Sequence, residues 1–399
     1  MKTEIRLPLG LPEFEILKQS IRNQKIILDV RTTALPVHCP LCGFSHVKSH
    51  DQRLRRVRDL DALDKPLYLM IHVRRYRCLN CGEVFSESLP SVPHHKHQTH
   101  RLREAIYLRC QDTTISSISR QMRMSYKTVE RIYYDIAGKK LSDTPPSSVV
   151  GIDEIAVRKG HRYETVITDI LTGKVHRMGA NRDTEAARSL LETLDARPVK
   201  TFVMDMWQPF YHAVTQLFPD VSIVIDKYHV VQKINHALDS VRKTCQPSLK
   251  GVKKGRFSLL KRRFRLSEKQ MNQLEAFHEA SDELAYAYYL KEWFYDLYQQ
   301  SSYEEAKAFL DTWIAEAEKS PFASFHEVVK TLKHWQAHIL EYFRAPYTNA
   351  RTEGTNHKIK NRKRMAYGYR NLDHFRIRVQ LDCAGSVPSS PQDGLADSA

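Results

Sequence analysis

Two apolar runs, Val150-Gly-Ile-Asp153 and Phe202-Val-Met-Asp205, decide the fold of this chain because each ends in an aspartate. Their length and content are typical of buried strands. On neighbouring central strands of one sheet, the two carboxylates would lie within reach of one divalent ion. Phosphodiester cleavage by two metal ions about 3.5–4 Å apart needs such ligands, and a third carboxylate usually completes the set. A single aspartate at a strand end is commonly a turn or cap residue, so the hypothesis depends on the pair.

The elements around these runs predict a ribonuclease-H-like mixed sheet. In chain order the segments are three strands, a helix, a strand, a helix and a strand, which is the order of that fold. The strands are predicted over 149–157, 163–170, 174–178, 201–204 and 221–225, and the first helix begins at Asp183.

Four cysteines predict a structural zinc site in the first hundred residues. Cys39 and Cys42 form one Cys-x-x-Cys pair, Cys78 and Cys81 form another, and a glycine follows each pair. Such spacing presents two thiolates from one tight turn to a tetrahedral Zn²⁺. Unrelated buried thiols and redox-active pairs are the alternatives. The irregularly spaced histidines of residues 93–100 predict a solvated linker without a metal.

Residues 101–137 predict a helix-turn-helix that reads DNA. Apolar positions recur at helical spacing over 115–122 and again over 125–136, and Ser125 is a suitable N-cap for the second helix. Tyr126, Lys127 and Arg131 are left facing outward, as a recognition helix requires. An ordinary helical hairpin is the alternative, and the adjacent zinc module favours DNA binding.

Net charge predicts a polyanionic partner. Lys and Arg number 62 against 46 Asp and Glu, which gives a formal charge of +16. Nucleic acid is the first candidate, although a ribosome-associated or merely basic protein would have the same balance. No run reaches the roughly 18 apolar residues of a membrane span. We therefore expect a soluble cytoplasmic protein, associated with the bacterial nucleoid when bound to DNA, and no membrane partner.

Longer strings carry a family resemblance over nearly the whole chain, from the cysteine pairs to about Leu381. The strings are Gly151-Ile-Asp-Glu154, Arg158-Lys-Gly-His-Arg-Tyr163, Asp205-Met-Trp-Gln-Pro-Phe-Tyr211, Asp226-Lys-Tyr-His-Val230, Asn349-Ala-Arg-Thr-Glu-Gly-Thr-Asn356 and Ile359-Lys-Asn-Arg-Lys-Arg-Met-Ala-Tyr-Gly-Tyr-Arg-Asn371, with Phe375-Arg376. They resemble the ISL-three family of insertion-sequence transposases, and the last two long strings are highly specific to it.

The resemblance implies an enzyme that binds the terminal inverted repeats of a mobile element, cuts there and joins the ends to target DNA. It implies Asp153, Asp205 and Glu353 as the catalytic carboxylates, which would hold two Mg²⁺ or Mn²⁺ ions. Asp226 and His229 look like a signature of related transposases and are expected to support the site. We expect a homodimer or higher oligomer in the complex with double-stranded DNA.

Independent support for Glu353 comes from a predicted helix that begins after Asn349 and ends near Gly368. Helical spacing places Glu353, Asn356, His357 and Lys360 along one face. Asn356 is expected to support the site, and Lys360 and Arg364 are expected to contact DNA. Gly354 is costly inside a helix, which suggests a close approach by DNA or by the sheet. A lone glutamate on a charged helix is usually solvated.

A helical insertion is predicted between the second aspartate and this glutamate. Residues 241–267 carry ten Lys or Arg and no Asp or Glu, with Phe257 and Phe264 interleaved. This composition fits a surface that follows DNA phosphates, and a solvated helix is the alternative. The predicted contacts are Lys253, Lys254, Arg262 and Arg263. Later aromatic residues at helical spacing are predicted to form core.

The expected fold class is multidomain α/β, with a zinc ribbon, a helix-turn-helix and a ribonuclease-H-like sheet that the α-helical insertion interrupts. The predicted divisions are 1–100 zinc-ribbon region, 101–137 helix-turn-helix, 138–148 linker, 149–232 first part of the core, 233–346 insertion, 347–381 last core helix and 382–399 disordered tail.

Two other functions are compatible with parts of this pattern. A catalytically silent DNA-binding regulator would share the zinc ribbon, the helix-turn-helix and the basic surface, but it would not need three carboxylates. A structure-specific nuclease would need the carboxylates, but neither the DNA-reading module nor the insertion.

Overall fold

The computed structural model describes residues 9–34, 38–141, 144–158, 162–250, 252 and 255–384. They fall into two compact units, residues 1–141 and 142–399. Lys253 and Lys254, which were predicted to bind DNA, lie outside the described residues, as does most of the predicted tail. Among the described residues, no helix is both long and apolar enough to cross a bilayer.

The first unit begins with a five-stranded sheet in the order β1-β2-β4-β3, with β5 paired to β4. Burial alternates along β4, where Leu67, Leu69, Ile71 and Val73 are all buried. β2 pairs with β4 in parallel, and the other pairs are antiparallel. The strands are β1 Phe14–Arg22, β2 Lys25–Thr32, β3 Val47–Ala62, β4 Lys65–Cys78 and β5 Val84–Ser86.

Three helices follow in the same unit: α1 His100–Asp112, α2 Ile115–Gln121 and α3 Tyr126–Lys140. The predicted helix-turn-helix is confirmed in α2 and α3. The hydroxyl of Ser125 accepts a hydrogen bond from the Thr128 N–H, so the predicted N-cap forms.

The two predicted linkers differ in outcome. In the segment 93–100 the four histidines are exposed, as expected of a solvated linker, while Gln98 pairs with Arg58 and Thr99 caps α1. The predicted linker at 138–148 begins too early, because α3 continues to Lys140. The Lys140 amine lies 2.7 Å from a carboxylate oxygen of Glu104, which stabilises this last turn.

The second unit is built on a five-stranded sheet in the order β10-β9-β6-β7-β8. β6 is antiparallel to β7 and parallel to β9, and β9 is parallel to β10. The ribonuclease-H-like fold is therefore confirmed, with both predicted aspartate strands adjacent in the middle of the sheet. Its elements are β6 Val149–Arg158, β7 Arg162–Asp169, β8 Val175–Ala180, α4 Thr184–Glu192, β9 Thr201–Met204, α5 Gln208–Leu217 and β10 Ser222–Ile225.

The predicted helical insertion is present, but its first helix begins directly after β10. The helices are α6 Lys227–Thr244, α7 Arg256–Leu260, α8 Glu268–Ala280, α9 Asp282–Tyr295, α10 Tyr303–Lys319 and α11 Ala323–Leu340. The aromatic residues predicted as core join one cluster with the sheet, and Phe294, Trp313 and Trp335 are buried in it.

Two final helices, α12 Ala350–Met365 and α13 Leu372–Asp382, complete the second unit. Ile359 and Phe375 pack with Ile155 and Val166 of the sheet. The predicted tail begins too early, because Cys383 is buried and its carbonyl accepts a hydrogen bond from the Val175 N–H.

A close approach between α12 and the sheet is made at Gly151, not at the predicted Gly354. A Cβ atom at Gly151 would lie 2.7 Å from Oδ1 of Asn349 and 2.8 Å from Oγ1 of Thr352. A Cβ atom at Gly354 would meet no described atom within 4 Å. The expectation that the sheet approaches closely at Gly354 is therefore wrong.

Candidate active site and metal centres

The sheet aligns three aspartates in one row. Ile152 of β6 is in register with Met204 of β9, and Met204 is in register with Ile225 of β10. The residues that follow these positions are Asp153, Asp205 and Asp226. Neighbouring strands are about 4.8 Å apart. The three aspartates therefore lie side by side, with Asp153 within β6 and the other two directly after β9 and β10.

His229 joins the second aspartate to the first turn of α6. Its Nε2 lies 2.8 Å from Oδ1 of Asp205. Its backbone N–H donates to the carbonyl of Asp226 at 3.2 Å, which holds this turn at the end of β10. The structure therefore places His229 between two of the three aspartates.

The helix α12 brings Glu353 and Asn356 to the same cluster. Nδ2 of Asn356 donates to Oδ2 of Asp153 at 2.7 Å. One ligand atom each of Glu353, Asp226 and His229 lie within 4.8 Å of one another. Residues from β6, β9, β10, α6 and α12 thus converge, although Glu353 follows Asp205 by more than a hundred residues in sequence.

Burial and mutual repulsion raise the pKa of two of these carboxyls. Burial, and then the charge of Asp205, raises the pKa of Asp153 to about 7. Burial raises the pKa of Asp226 to about 6, although the positive charge of His229 opposes the shift. Burial lowers the pKa of His229, but its contact with Asp205 and the surrounding negative charge outweigh burial, so the net shift is upward. The cluster is therefore short of positive charge, which bound cations would supply.

Glu154 lies next to Asp153 in sequence but takes no part in this row. Successive side chains of a strand point to opposite faces. Its carboxylate oxygen lies 2.6 Å from Nη1 of Arg182, and the ring of Trp207 donates to the Arg182 carbonyl at 3.0 Å. Glu154 is thus held in an ion pair of its own.

The four predicted zinc ligands lie together at the end of β4. Sγ of Cys39 lies 3.8 Å from Sγ of Cys81, and Sγ of Cys42 lies 3.5 Å from Sγ of Cys78. Four sulfurs at about 2.3 Å from a tetrahedral Zn²⁺ would be roughly 3.8 Å apart, so the thiols fit that ion.

The turns around the thiols also suit a metal. Gly43 and Gly82 both adopt positive φ, at 71° and 75°, which lets each chain double back after its cysteine pair. A hydrogen bond from the Phe44 backbone lowers the pKa of Cys42 to about 6, whereas burial and the neighbouring thiols raise the pKa of Cys81, so the support for zinc comes from the sulfur positions.

The predicted DNA contacts differ in their exposure. Arg262 is an unfavourable candidate, because its guanidinium pairs with Asp296 at 2.7 Å and only 14% of its side chain is exposed. The Arg262 contact stays a prediction, and a paired and covered guanidinium has little surface for phosphate. The other described candidates are exposed: Tyr126, Lys127, Arg131, Arg263, Lys360 and Arg364.

Sequence reasoning missed one contributor to the site, Asn349. Asn349 was predicted as an ordinary N-cap, but its backbone N–H donates to Oδ1 of Asp226 at 3.3 Å. Its side chain makes no capping bond to the helix backbone and instead accepts the Thr352 hydroxyl. Asp226 was expected to support the site, and Ile223-Val-Ile-Asp226 is a third apolar run that ends in aspartate.

Comparison with protein families gives three matches along the chain. A zinc-finger model of the transposases of IS204, IS1001, IS1096 and IS1165 matches residues 35–81. A model for the helix-turn-helix domain of transposase family ISL3 matches residues 87–137. A model for the ISL3 DDE domain, described as a transposase, matches residues 150–379, which is more than half of the chain.

Individual relatives align over most of their length. The transposase for insertion sequence element IS1001 of Bordetella parapertussis is 29% identical over 378 residues, which cover 90% of this chain and 91% of that protein. The transposase for insertion sequence element IS1557 of Mycobacterium tuberculosis is 24% identical over 373 residues, which cover 85% and 83% of the two chains.

Proposed function

The chain belongs to the ISL3 family of insertion-sequence transposases, and on that premise we propose that it binds the terminal inverted repeats of its element and catalyses metal-dependent DNA cleavage and strand transfer. The observation that carries the proposal is the convergence of Asp153, Asp205 and Glu353, from two adjacent strands and a distant helix, on one cluster. A silent DNA-binding regulator would not need such a cluster.

In this proposal the three carboxylates hold two Mg²⁺ or Mn²⁺ ions, because carboxylate oxygens are the ligands these ions prefer. The chemistry that such ions supply when bound is activation of the attacking oxygen and stabilisation of the leaving oxygen. Asn356 positions Asp153 through its 2.7 Å hydrogen bond, and His229 positions Asp205 through their 2.8 Å contact.

DNA recognition is assigned to α3 and to the exposed cations of the second unit. Lys127 and Arg131 lie on the exposed face of a capped helix, which is the arrangement of a recognition helix in the major groove. Lys360 and Arg364 lie on α12, the helix that carries Glu353, and are suited to hold the DNA backbone beside the carboxylates. The partner is double-stranded DNA, and the DNA-bound form is proposed to be a dimer or higher oligomer.

Structural Zn²⁺ at Cys39, Cys42, Cys78 and Cys81 is part of the proposal, and the sulfur separations support it. The proposed divisions are a zinc-ribbon region, a helix-turn-helix that ends with α3, and a catalytic core interrupted by the insertion α6 to α11. The family matches over 35–81, 87–137 and 150–379 support these divisions.

Incubation of the purified protein with labelled element-end DNA tests the function. With Mg²⁺ or Mn²⁺ we expect cleavage at the element end, followed by joining to a target duplex. Asp153→Asn, Asp205→Asn and Glu353→Gln should each lower cleavage by several orders of magnitude while end binding survives, because the changes remove ligand charge and hardly alter shape.

The matched control is Glu154→Gln, which removes a neighbouring carboxylate that is paired with Arg182. It should retain most of the cleavage activity. End binding without cleavage by the wild type, under any divalent ion, would instead identify a regulator.

A further inference from the structure

Asp226 is a buried carboxylate whose charge is only partly compensated. It is 1% exposed, although it lies at the N-terminus of α6 and faces the active-site cluster. Its Oδ1 accepts the long hydrogen bond from the Asn349 N–H. Its Oδ2 accepts no hydrogen bond from any residue that the structure describes. A buried ionised carboxylate in this state is costly unless a cation is bound beside it.

The groups that face Asp226 do not fully compensate its negative charge. Glu353 and Asp205 are negative and repel it, whereas His229 contributes a favourable charge. His229 also contacts Asp205. The hydroxyl of Tyr298 lies near enough to be affected by the Asp226 charge, but it has no hydrogen-bond partner among the described residues either.

We propose that Asp226 is a direct metal ligand, and that it binds one divalent cation together with Glu353 while Asp153 and Asp205 bind the other. The inference rests on the proposed function and extends its ligand set from three carboxylates to four. His229 lies between the two pairs as an ion-pair partner, since Mg²⁺ prefers oxygen ligands.

Two features of the geometry support this assignment. The register puts Asp226 in the same row as the other two aspartates, one strand farther along. Two oxygens bound to one Mg²⁺ at about 2.1 Å are roughly 3.0 Å apart when adjacent and 4.2 Å apart when opposite. The ligand atoms of Asp226, His229 and Glu353 lie within 4.8 Å of one another, so small side-chain rotations complete the coordination.

Substitution by asparagine has opposite expected effects with and without metal. In buffer without added Mg²⁺ or Mn²⁺, Asp226→Asn should raise the melting temperature of the full-length protein, because it removes a buried negative charge that lacks a full partner. Saturating Mn²⁺ should raise the melting temperature of the wild type, and it should raise that of Asp226→Asn by less. A titration followed by Mn²⁺ electron paramagnetic resonance should show two bound ions in the wild type and one in Asp226→Asn.

Asp239→Asn is the matched control, because Asp239 lies on the same helix but is paired with Arg242 and Arg256. It should lower the melting temperature in both buffers and leave two bound ions. Tyr298→Phe should also leave two bound ions, since its hydroxyl is not a ligand in this proposal.

The outcomes separate this inference from the function on which it rests. A wild type that binds Mn²⁺ and cleaves DNA, with an Asp226→Asn form that still binds two ions, would overturn the ligand assignment alone. An Asp226→Asn form that is less stable than the wild type without metal would also overturn it, since that is the behaviour of a structural carboxylate. A wild type that binds no divalent ion at this site would remove both proposals.

Discussion

Nε2 of His229 lies 2.8 Å from Oδ1 of Asp205, and this contact joins the first turn of an inserted helix to the end of a central strand. The imidazole therefore lies inside a group of carboxylates that would otherwise only repel one another. Its pKa is raised despite the opposing effect of burial, because Asp205, Asp226 and Asp153 all favour its charged form. One imidazolium cannot neutralise several carboxylates, so the carboxyl groups of the metal-free cluster should lose their protons less readily than isolated ones.

The pH dependence of stability follows from this imbalance. The pKa of Asp153 is about 7 in the folded protein, whereas an unfolded aspartate releases its proton near pH 4. Between about pH 4 and pH 7 the native state binds more protons, so the free energy of unfolding falls as the pH rises. At about pH 8 the ionisation of Asp153 has lowered the free energy of unfolding by an amount on the order of 4 kcal/mol.

The measurement is the difference in melting temperature between Asp153→Asn and the wild type, without added divalent ions, from about pH 5 to pH 8. A difference isolates Asp153 from groups with the opposite trend, such as Asp169, whose pKa is lowered by hydrogen bonds that outweigh its burial. The melting temperature of the variant should increase steadily relative to that of the wild type as the pH rises. A difference that does not change with pH would show that Asp153 ionises in the native state as readily as in the unfolded one.

The cysteine cluster predicts one zinc ion per chain and a first unit that depends on it. Cys39 and Cys78 are buried at the end of the long strand β4, so loss of the ion should disorder the adjoining strand pair. Cys78→Ser should lose bound zinc and lower the melting temperature of the first unit. Zinc content by atomic absorption, with differential scanning calorimetry, checks both effects.

Cys245→Ala is the control for this prediction, because its thiol lies in the second unit and contacts Glu283. It should retain one zinc ion. A Cys78→Ser protein with full zinc content would show that the four thiols are not the ligand set.

The sequence predicted the second unit well because its strands are short, apolar and separated by clear turn residues. It did not predict β1 and β2. Ile16, Leu17 and Ile21 of β1 are exposed, so the strand lacks the alternation that identifies a half-buried strand. Its place depends on β2, which in turn pairs in parallel with β4 across more than thirty residues.

The site was predictable to the extent that its residues follow recognisable strands. Asp153 and Asp205 each end an apolar run, and so does Asp226, whose burial and missing partner only the structure reveals. Glu353 had no comparable local signal, because most positions of its helix are polar. The helix packs against the sheet where Asn349 and Thr352 lie over Gly151. Contacts between segments two hundred residues apart, such as Asn356 with Asp153, lie beyond periodicity and spacing.

The recognition helix predicts a specific pattern of DNA-binding losses. Lys127→Ala and Arg131→Ala should each weaken binding to element-end DNA by about 1–3 kcal/mol if the side chain reads a base. A phosphate contact would instead weaken binding to all sequences and reduce the dependence of affinity on salt. Fluorescence anisotropy at two salt concentrations, with end and unrelated DNA, distinguishes these cases.

Lys139→Ala is the matched control, since it removes the same charge from the last turn of the same helix, where Lys139 pairs with Asp135. Its effect on end binding should be small. Equal affinity and salt dependence for the wild type and a Lys127→Ala, Arg131→Ala double variant would mean that the hairpin is structural.

The close contact at Gly151 predicts that two glycine-to-alanine changes have opposite effects. Gly151→Ala would place a methyl group 2.7 Å from both Asn349 Oδ1 and Ile170 Cδ1, so these side chains, or α12 with them, must shift away from β6. Such overpacking costs about 1–3 kcal/mol, and cleavage should fall because α12 carries Glu353. Gly354→Ala meets no described atom within 4 Å and should stabilise the same helix by about 1 kcal/mol. Thermal melts and the cleavage assay measure both variants, and a Gly151→Ala protein with normal stability and cleavage would contradict the packing of α12 against the sheet.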